Sequence, residues 1–262
     1  MEIIFGPAGL GPVKSALETL ENYFKLGLRA CEIAFTYSVY IKPNECETIK
    51  NKARELGIEL SIHAPYWLNL NSESQEKREN TKKRILQCCE IGELLGAKVV
   101  VFHPGYYGKY KKEEVYETIK KEIIEMMQVI KNKKWKIKIA PEIMGKINVF
   151  GSIEEISLLA KETNCSFCID FAHILARYKK VDYKKIKEAF PQKEWHVHFS
   201  GIVYGEKGER YHTTTKREDW INLLKNLPTD RKIRIINESP NLVNDSVEGA
   251  KIYKELMKNY SF

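Results

Sequence analysis

The chain has 262 residues, 43% of them hydrophobic, which suits one large α/β domain or two small ones and is enough for a sizeable core. Lys and Arg number 43 against 35 Asp and Glu, so the formal charge is +8; this mildly favours an anionic partner, although part of the excess belongs on solvated helix faces. No secretory or membrane-spanning stretch interrupts the pattern and the six cysteines show no framework spacing, which excludes a disulfide-stapled secreted scaffold and leaves a soluble, reduced, cytoplasmic chain as the expectation.

The elements, in chain order, repeat one unit. Glu2 to Phe5 is an apolar strand that stops at Gly6-Pro7. Val13 to Leu26 carries apolar residues at helical spacing and stops at Gly27. Ala30 to Phe35 is the second strand. Pro43 opens the second helix, which runs to Leu56 and stops at Gly57. Ile58 to Ile62 is the third strand, ending at His63. The third helix covers about Glu76 to Leu95, Gly96 stops it, and Val99 to Phe102 follows as a strand ending at His103. Glycine just past a helix end is a left-handed cap, and three copies of helix–Gly–strand mark successive βα units.

The units continue. Val115, Ile119, Ile123, Met126 and Ile130 stripe the fourth helix, and Lys136 to Ala140 is a strand reaching Pro141-Glu142. Ser152 with Glu155 is a capping box for the fifth helix, which Asn164 ends. Cys165 to Ile169 reads as the sixth strand, reaching Asp170. Cys165 and Cys168 then lie inside that strand as core residues, not as half of a zinc ribbon. A broken helical segment runs to Phe190, and Trp195 to His198 is the seventh strand. Residues 204–212 form a loop extension after it. Trp220 to Leu227 is a helix, Lys232 to Ile236 is the eighth strand reaching Asn237-Glu238, and Asn244 or Asp245 caps a last helix through Met257.

Eight strands alternating with helices predict an α/β fold, a (β/α)8 TIM barrel spanning 1–262 as one domain. A doubly wound open sheet is the alternative, but no Gly-rich phosphate fingerprint follows any strand. In a barrel, functional residues stand at the C-terminal ends of the strands. From the third strand onward those ends are His63, His103, Glu142, Asp170, His198 and Glu238. Carboxylates packed together at one rim would repel, and a cluster of cations is the simplest way to hold them. His173, just past Asp170, and the 204–212 extension with Glu209 and His212 offer further ligands. His196 stands two residues before His198 on the same strand face, deeper in the barrel, where it suits a supporting partner better than a ligand. Imidazole and carboxylate without paired thiolates suit Zn2+, with Mn2+ or Fe2+ as alternatives. Paired ions point to phosphodiester hydrolysis.

These motifs resemble the endonuclease IV family of zinc-dependent apurinic/apyrimidinic endonucleases, whose barrel is xylose-isomerase-like. The likeness is carried by His63-Ala-Pro-Tyr-Trp-Leu-Asn-Leu, Phe102-His103-Pro-Gly, Pro141-Glu142, Cys168-Ile-Asp170-Phe-Ala-His173, His198-Phe-Ser-Gly, Glu209-Arg-Tyr-His212 and Asn237-Glu238-Ser, in order along most of the chain. The resemblance implies a base-excision repair enzyme with two to three zinc ions. His63, His103 and Glu142 would hold one. Glu142, the catalytic bridge, would share a second with Asp170, His198 and Glu238. His173 with the 209–212 ligands would hold a third. The partner it implies is double-stranded DNA with an abasic site, cut on the 5′ side with the damaged nucleotide flipped out, by a monomer. Tyr66 matches a position where the family sets an aromatic against DNA. This chain departs from the family's Asp-Arg-His at 209–212, where the acid is longer and the histidine lies one residue further on. Arg177 stands where the family favours Gly. The second reading is a sugar isomerase or epimerase on the same barrel, with one metal held by Glu142, Asp170, His198 and Glu238. A third is a metal-bearing binder of damaged DNA without turnover.

Overall fold

Each apolar run is followed by a helix long enough to carry the chain back to the start of the next, so the strands pair in parallel. The computed structural model describes residues 2–259, and the ends of the 1–262 span lie outside it. Its barrel strands are β1 (Glu2–Pro7), β2 (Ala30–Ala34), β3 (Glu59–His63), β4 (Val99–Phe102), β5 (Lys138–Pro141), β6 (Cys168–Asp170), β7 (Glu194–Phe199) and β10 (Lys232–Asn237). A hairpin of β8 (Gly201–Gly205) and β9 (Gly208–Thr213) stands apart from them. The helices are α1 (Ala16–Lys25), α2 (Pro43–Glu55), α3 (Gln75–Leu95), α4 (Lys112–Asn132), α5 (Ile153–Thr163), α6 (Phe171–Tyr178), α7 (Tyr183–Ala189), α8 (Arg217–Asn226) and α9 (Leu242–Asn259).

The parallel strands form two arcs, β1-β10-β7-β6 and β2-β3-β4-β5. Two seams close the arcs into a ring. At one, Arg29 N donates to Phe5 O at 3.0 Å. At the other, Glu142 bridges to Cys168, and Ile143 N donates to Cys168 O at 3.1 Å. This ring is a TIM barrel and rules out the open doubly wound sheet. Alternation along each strand then sorts the side chains. Outward residues such as Phe5, Ile33, Ile62, Val100, Ile139, Ile169, Val197 and Ile235 join one large core with the helices. Inward residues mix apolar with polar ones. Val99, Val101, Ala140 and Cys168 form a separate cluster, with the buried Glu32, Ser61, His196 and Arg234 also on inward-facing strand positions.

Gly6 makes one seam possible. A Cβ there would stand 1.7 Å from Ala30 O, so β1 and β2 approach backbone to backbone.

Three expectations need correction. The sixth strand begins at Cys168, not Cys165: Ser166 N pairs with Ile139 O at 2.9 Å before the strand proper, and Cys165 lies outside it. The 204–212 extension is not a loop but an antiparallel hairpin. The last helix starts at Leu242, so Asn244 and Asp245 lie inside it. Asp245 instead accepts Thr215 N at 2.6 Å and ties α9 to the segment leaving the hairpin. The Ser152 capping box and the left-handed Asn164 stop are as expected.

Gly6→Ala should destabilise the fold by about 1–3 kcal/mol, the cost of overpacking a rigid contact. Chemical denaturation should place its midpoint well below that of Gly9→Ala, whose added Cβ would meet only Leu242 at 3.4 Å.

Candidate metal centre

The strand ends bring the expected residues together at one rim. Glu142, immediately after β5, is fully buried and central to them. Its Oε2 lies 3.3 Å from His63 Nε2 and 3.1 Å from His103 Nε2. Its Oε1 lies 2.9 Å from His198 Nδ1 and 3.6 Å from His173 Nδ1. Several overlapping sets of potential ligand atoms lie within 4.8 Å of one another, among them three that hold the strand-end residues: His63, His103 and Glu142; Glu142, Asp170, His198 and Glu238; and His173, Glu209 and His212. Glu142 belongs to two sets. His103, Glu209 and Glu238 stay partly exposed, so the cluster opens to solvent at the rim.

Each side chain is aimed by a local device. Asp170 ends β6 and caps α6, accepting His173 N on Oδ1 at 2.8 Å. That bond fixes the three-residue spacing between them and leaves Oδ2 buried without an aligned hydrogen bond. His63 Nδ1 donates to Ala64 O at 2.7 Å and His173 Nδ1 to Ile143 O at 2.9 Å, which leaves Nε2 of both rings as the free donor atom. His212 Nδ1 meets Ser200 Oγ at 2.6 Å.

Glu209 and His212 are three residues apart on β9, a spacing that puts side chains on opposite faces. A β-bulge removes the difficulty. Tyr204 pairs with Glu209 and Val203 with Tyr211, so Arg210 is the extra residue and the alternation shifts by one. Both side chains then reach His173, with Glu209 Oε2 3.2 Å from its Nε2. The displaced histidine of the sequence motif is thus absorbed by the strand. Gly145 leaves the room: a Cβ there would stand 2.7 Å from Glu209 Cβ and 2.9 Å from His173 Cδ2. Arg177 braces the same loop, donating to the carbonyls of Met144, Lys146 and Val149 at 3.2, 2.6 and 3.0 Å.

The electrostatics follow from this crowding. Burial works against an ionised Glu142, but the imidazoles of His198, His103 and His63 outweigh it and hold the carboxyl well below its usual range. Burial pushes Asp170 up to about 6, with Glu142 and Glu238 adding to the rise against the pull of His173. Burial also opposes a charged His173, yet Asp170, Glu142 and Glu209 raise it to about 9. Four carboxylates facing five imidazoles, with one buried carboxylate oxygen unpaired, fit divalent cations that take nitrogen and oxygen ligands.

Tyr66, half-exposed, packs at a tilt against two of these rings, 4.7 Å from His63 and 5.4 Å from His103 between centroids. Two residues go beyond the expected set. Cys168 is not only core: its sulfur falls within 4.8 Å of ligand atoms of His196 and His198. Glu32 on β2, fully buried, lies beneath the rim and meets both of those histidines, at 2.9 and 3.0 Å. Its signal in the sequence was an acid inside an otherwise apolar strand, Ala30 to Phe35.

A family model described as a xylose isomerase-like TIM barrel matches residues 20–256. An uncharacterized protein of Methanocaldococcus jannaschii is 36% identical over an alignment of 273 residues that covers 97% of this chain and 98% of the relative. A probable endonuclease 4 of Aquifex aeolicus is 23% identical over 226 residues, covering 79% of this chain and 80% of the relative. Among solved structures, endonuclease IV from Thermus thermophilus aligns with a TM-score of 0.68 at 20% identity, covering 99% of this chain and 100% of that one. D-psicose 3-epimerase from Clostridium cellulolyticum aligns with a TM-score of 0.72 at 13% identity, covering 98% and 99%. At these identities the two structures establish the fold.

In chelator-treated protein, NMR titration should find the His173 imidazole changing charge near pH 9 and His196 staying neutral to about pH 4. The His173 value lies above the ordinary 6.5. Its contribution to stability is therefore fully present below about pH 6.5 and is lost as pH rises through about 9. Gly145→Ala should push Glu209 off His173 and weaken one divalent site by roughly 10–100-fold, as read by metal titration.

Proposed function

The chain belongs to the xylose isomerase-like TIM barrel family, and within it we propose that this protein is a zinc-dependent phosphodiesterase that cleaves DNA 5′ to abasic sites. The observation that carries the reading is the number of ligand sets. A one-metal sugar isomerase or epimerase needs only Glu142, Asp170, His198 and Glu238. Here His63 and His103 also converge on Glu142, and His173, Glu209 and His212 form a set of their own.

Divalent ions held there would supply Lewis acidity toward the phosphodiester and a hydroxide nucleophile at neutral pH. The chain's own residues do the rest. Glu142 offers one carboxylate oxygen to the His63–His103 side and the other to the His198 side, so it fixes the spacing between two positions. Asp170 and His173 are locked to each other by the cap of α6, which holds the second and third ligand sets in a fixed relation. Tyr66 lies over the two imidazoles with its outer face open, a surface on which an extruded nucleotide stacks. Tyr37, Trp67, Tyr106 and Tyr211 are exposed in neighbouring loops and in the hairpin. With the net charge of +8 they suit a nucleic acid better than a small neutral sugar.

Two measurements on one preparation test the reading. Purified protein should carry two to three divalent ions per chain and nick a duplex with one abasic site in a chelator-sensitive way. Glu142→Ala should lose paired ions and at least about 100-fold of the activity, since even outer partners of metal ligands are worth 10–100-fold. His103→Ala should lower both the metal count and the nicking. One ion per chain, with epimerase activity on a ketose and an intact abasic duplex, would overturn the proposal. Tight abasic-DNA binding by metal-replete protein without cleavage would overturn it in favour of a binding role.

A further inference from the structure

We infer that Glu32 is a positioning residue of the metal centre, turning His198 so that Nδ1 and not Nε2 faces Glu142 and Glu238. The inference rests on the metal-centre reading above. Glu32 lies on β2, fully buried on the inner face of the barrel, outside all three ligand sets that meet at the rim. A carboxylate in that position needs donors around it. Ser61 Oγ donates to its Oε2 at 2.9 Å, and His196 Nε2 lies 2.9 Å from the same oxygen. His198 Nε2 lies 3.0 Å from Oε1. Residues 196 and 198 share one face of β7, so two imidazoles converge on one carboxylate.

His198 is turned the opposite way from its neighbours. His63, His173 and His212 have Nδ1 occupied by Ala64 O, Ile143 O and Ser200 Oγ, which leaves Nε2 free. In His198, Nδ1 is 2.9 Å from Glu142 Oε1 and 3.3 Å from Glu238 Oε2, while Nε2 is on Glu32. An ionised carboxylate only accepts hydrogen bonds. The ring nitrogen facing Glu32 therefore carries the proton, and Nδ1 keeps its lone pair for an ion. In this ring orientation the other tautomer would set the Nε2 lone pair against a buried anion. The Nε2–Oε1 approach is short but not aligned as a hydrogen bond. Contacts of this kind commonly tighten when a site is filled.

The support for Glu32 extends downward. His196 Nδ1 faces Arg234 Nη1 at 3.5 Å, and a guanidinium only donates, so His196 also presents Nε2–H to Glu32. Arg234 is held in turn by Glu59, with Nε 3.0 Å from its Oε2. The series Glu59, Arg234, His196, Glu32 and His198 runs up the barrel interior from floor to rim, and each link faces a donor to an acceptor.

The test is Glu32→Gln, which fills the same space but offers one acceptor oxygen to two imidazoles. Zinc affinity of the full chain, measured in competition with a chromophoric chelator, should fall about 10–100-fold. Long-range 1H–15N NMR of the chelator-treated protein should show His198 losing its preference for the Nε2–H tautomer. Glu32→Asp keeps both oxygens and should bind zinc more tightly than Glu32→Gln. A purely structural carboxylate would give the reverse order, because Asp leaves a gap and Gln does not. Thermal melts of the chelator-treated variants establish that both fold. Wild-type zinc affinity and an unchanged His198 tautomer in Glu32→Gln would overturn the inference. A wild type that binds zinc but leaves an abasic duplex intact would remove the phosphodiesterase reading, and the affinity comparison would still decide on Glu32. A wild type with no zinc affinity would remove both.

Discussion

The rim depends on one buried carboxylate. Glu142 has no exposure to solvent, yet four imidazoles lie within 3.6 Å of its two oxygens. A charge in that position is tolerated only because it is surrounded by groups that stabilise the ionised form. Its backbone is fixed as well, with Glu142 N donating to Phe102 O at 3.1 Å and its neighbour Ile143 N reaching across the seam to Cys168 O. The residue that joins the ligand sets is therefore also one that helps to close the barrel between β5 and β6.

The interior beneath it follows the same logic. A barrel of this size can fill its centre with branched apolar side chains. Here the apolar packing inside includes a small cluster of Val99, Val101, Ala140 and Cys168. Glu32, Ser61, His196 and Arg234 are also buried on inward-facing positions. Such a network is costly if any member is unpaired and specific when all are paired. Ser61 and His196 bond Glu32 from within the barrel and Arg234 faces His196, so the network reaches His198 from below while the strand ends bring in the other rim residues from the side. The large apolar core lies outside the ring, against the helices, and supplies stability without constraining the chemistry.

Much of the site was legible because a barrel maps chain order onto position. His63, His103, Glu142, Asp170, His198 and Glu238 could be read as one rim once eight βα units had been counted, since every strand presents its C-terminal end to the same side. His173 was legible as a ligand-type residue just past the Asp170 strand end, and the α6 cap that joins the two is visible only in the structure. The readings that failed were those set by local irregularity. Strand β6 is only three residues long, too short to announce itself, so its start was placed too early. The hairpin carries a bulge at Arg210, and without it Glu209 and His212 would not share a face. Asn241 stands just before the Leu242 start of α9, but Asn244 and Asp245 look equally like caps and serve other bonds.

By itself the sequence determined the alternation of strand and helix, the glycine stops between them, and the order of ligand-type residues at successive strand ends. Those are properties of periodicity and of residue type, and they survive without coordinates. Only the tertiary structure decided which residues face one another across the barrel. Glu32 and His198 are far apart in the chain, on strands in different arcs, and nothing in the local pattern of either announces the contact. Nor does sequence state which ring nitrogen a histidine offers. That choice depends on the carbonyl, hydroxyl or carboxylate the fold sets against the other nitrogen, and it exists only once the ring has closed.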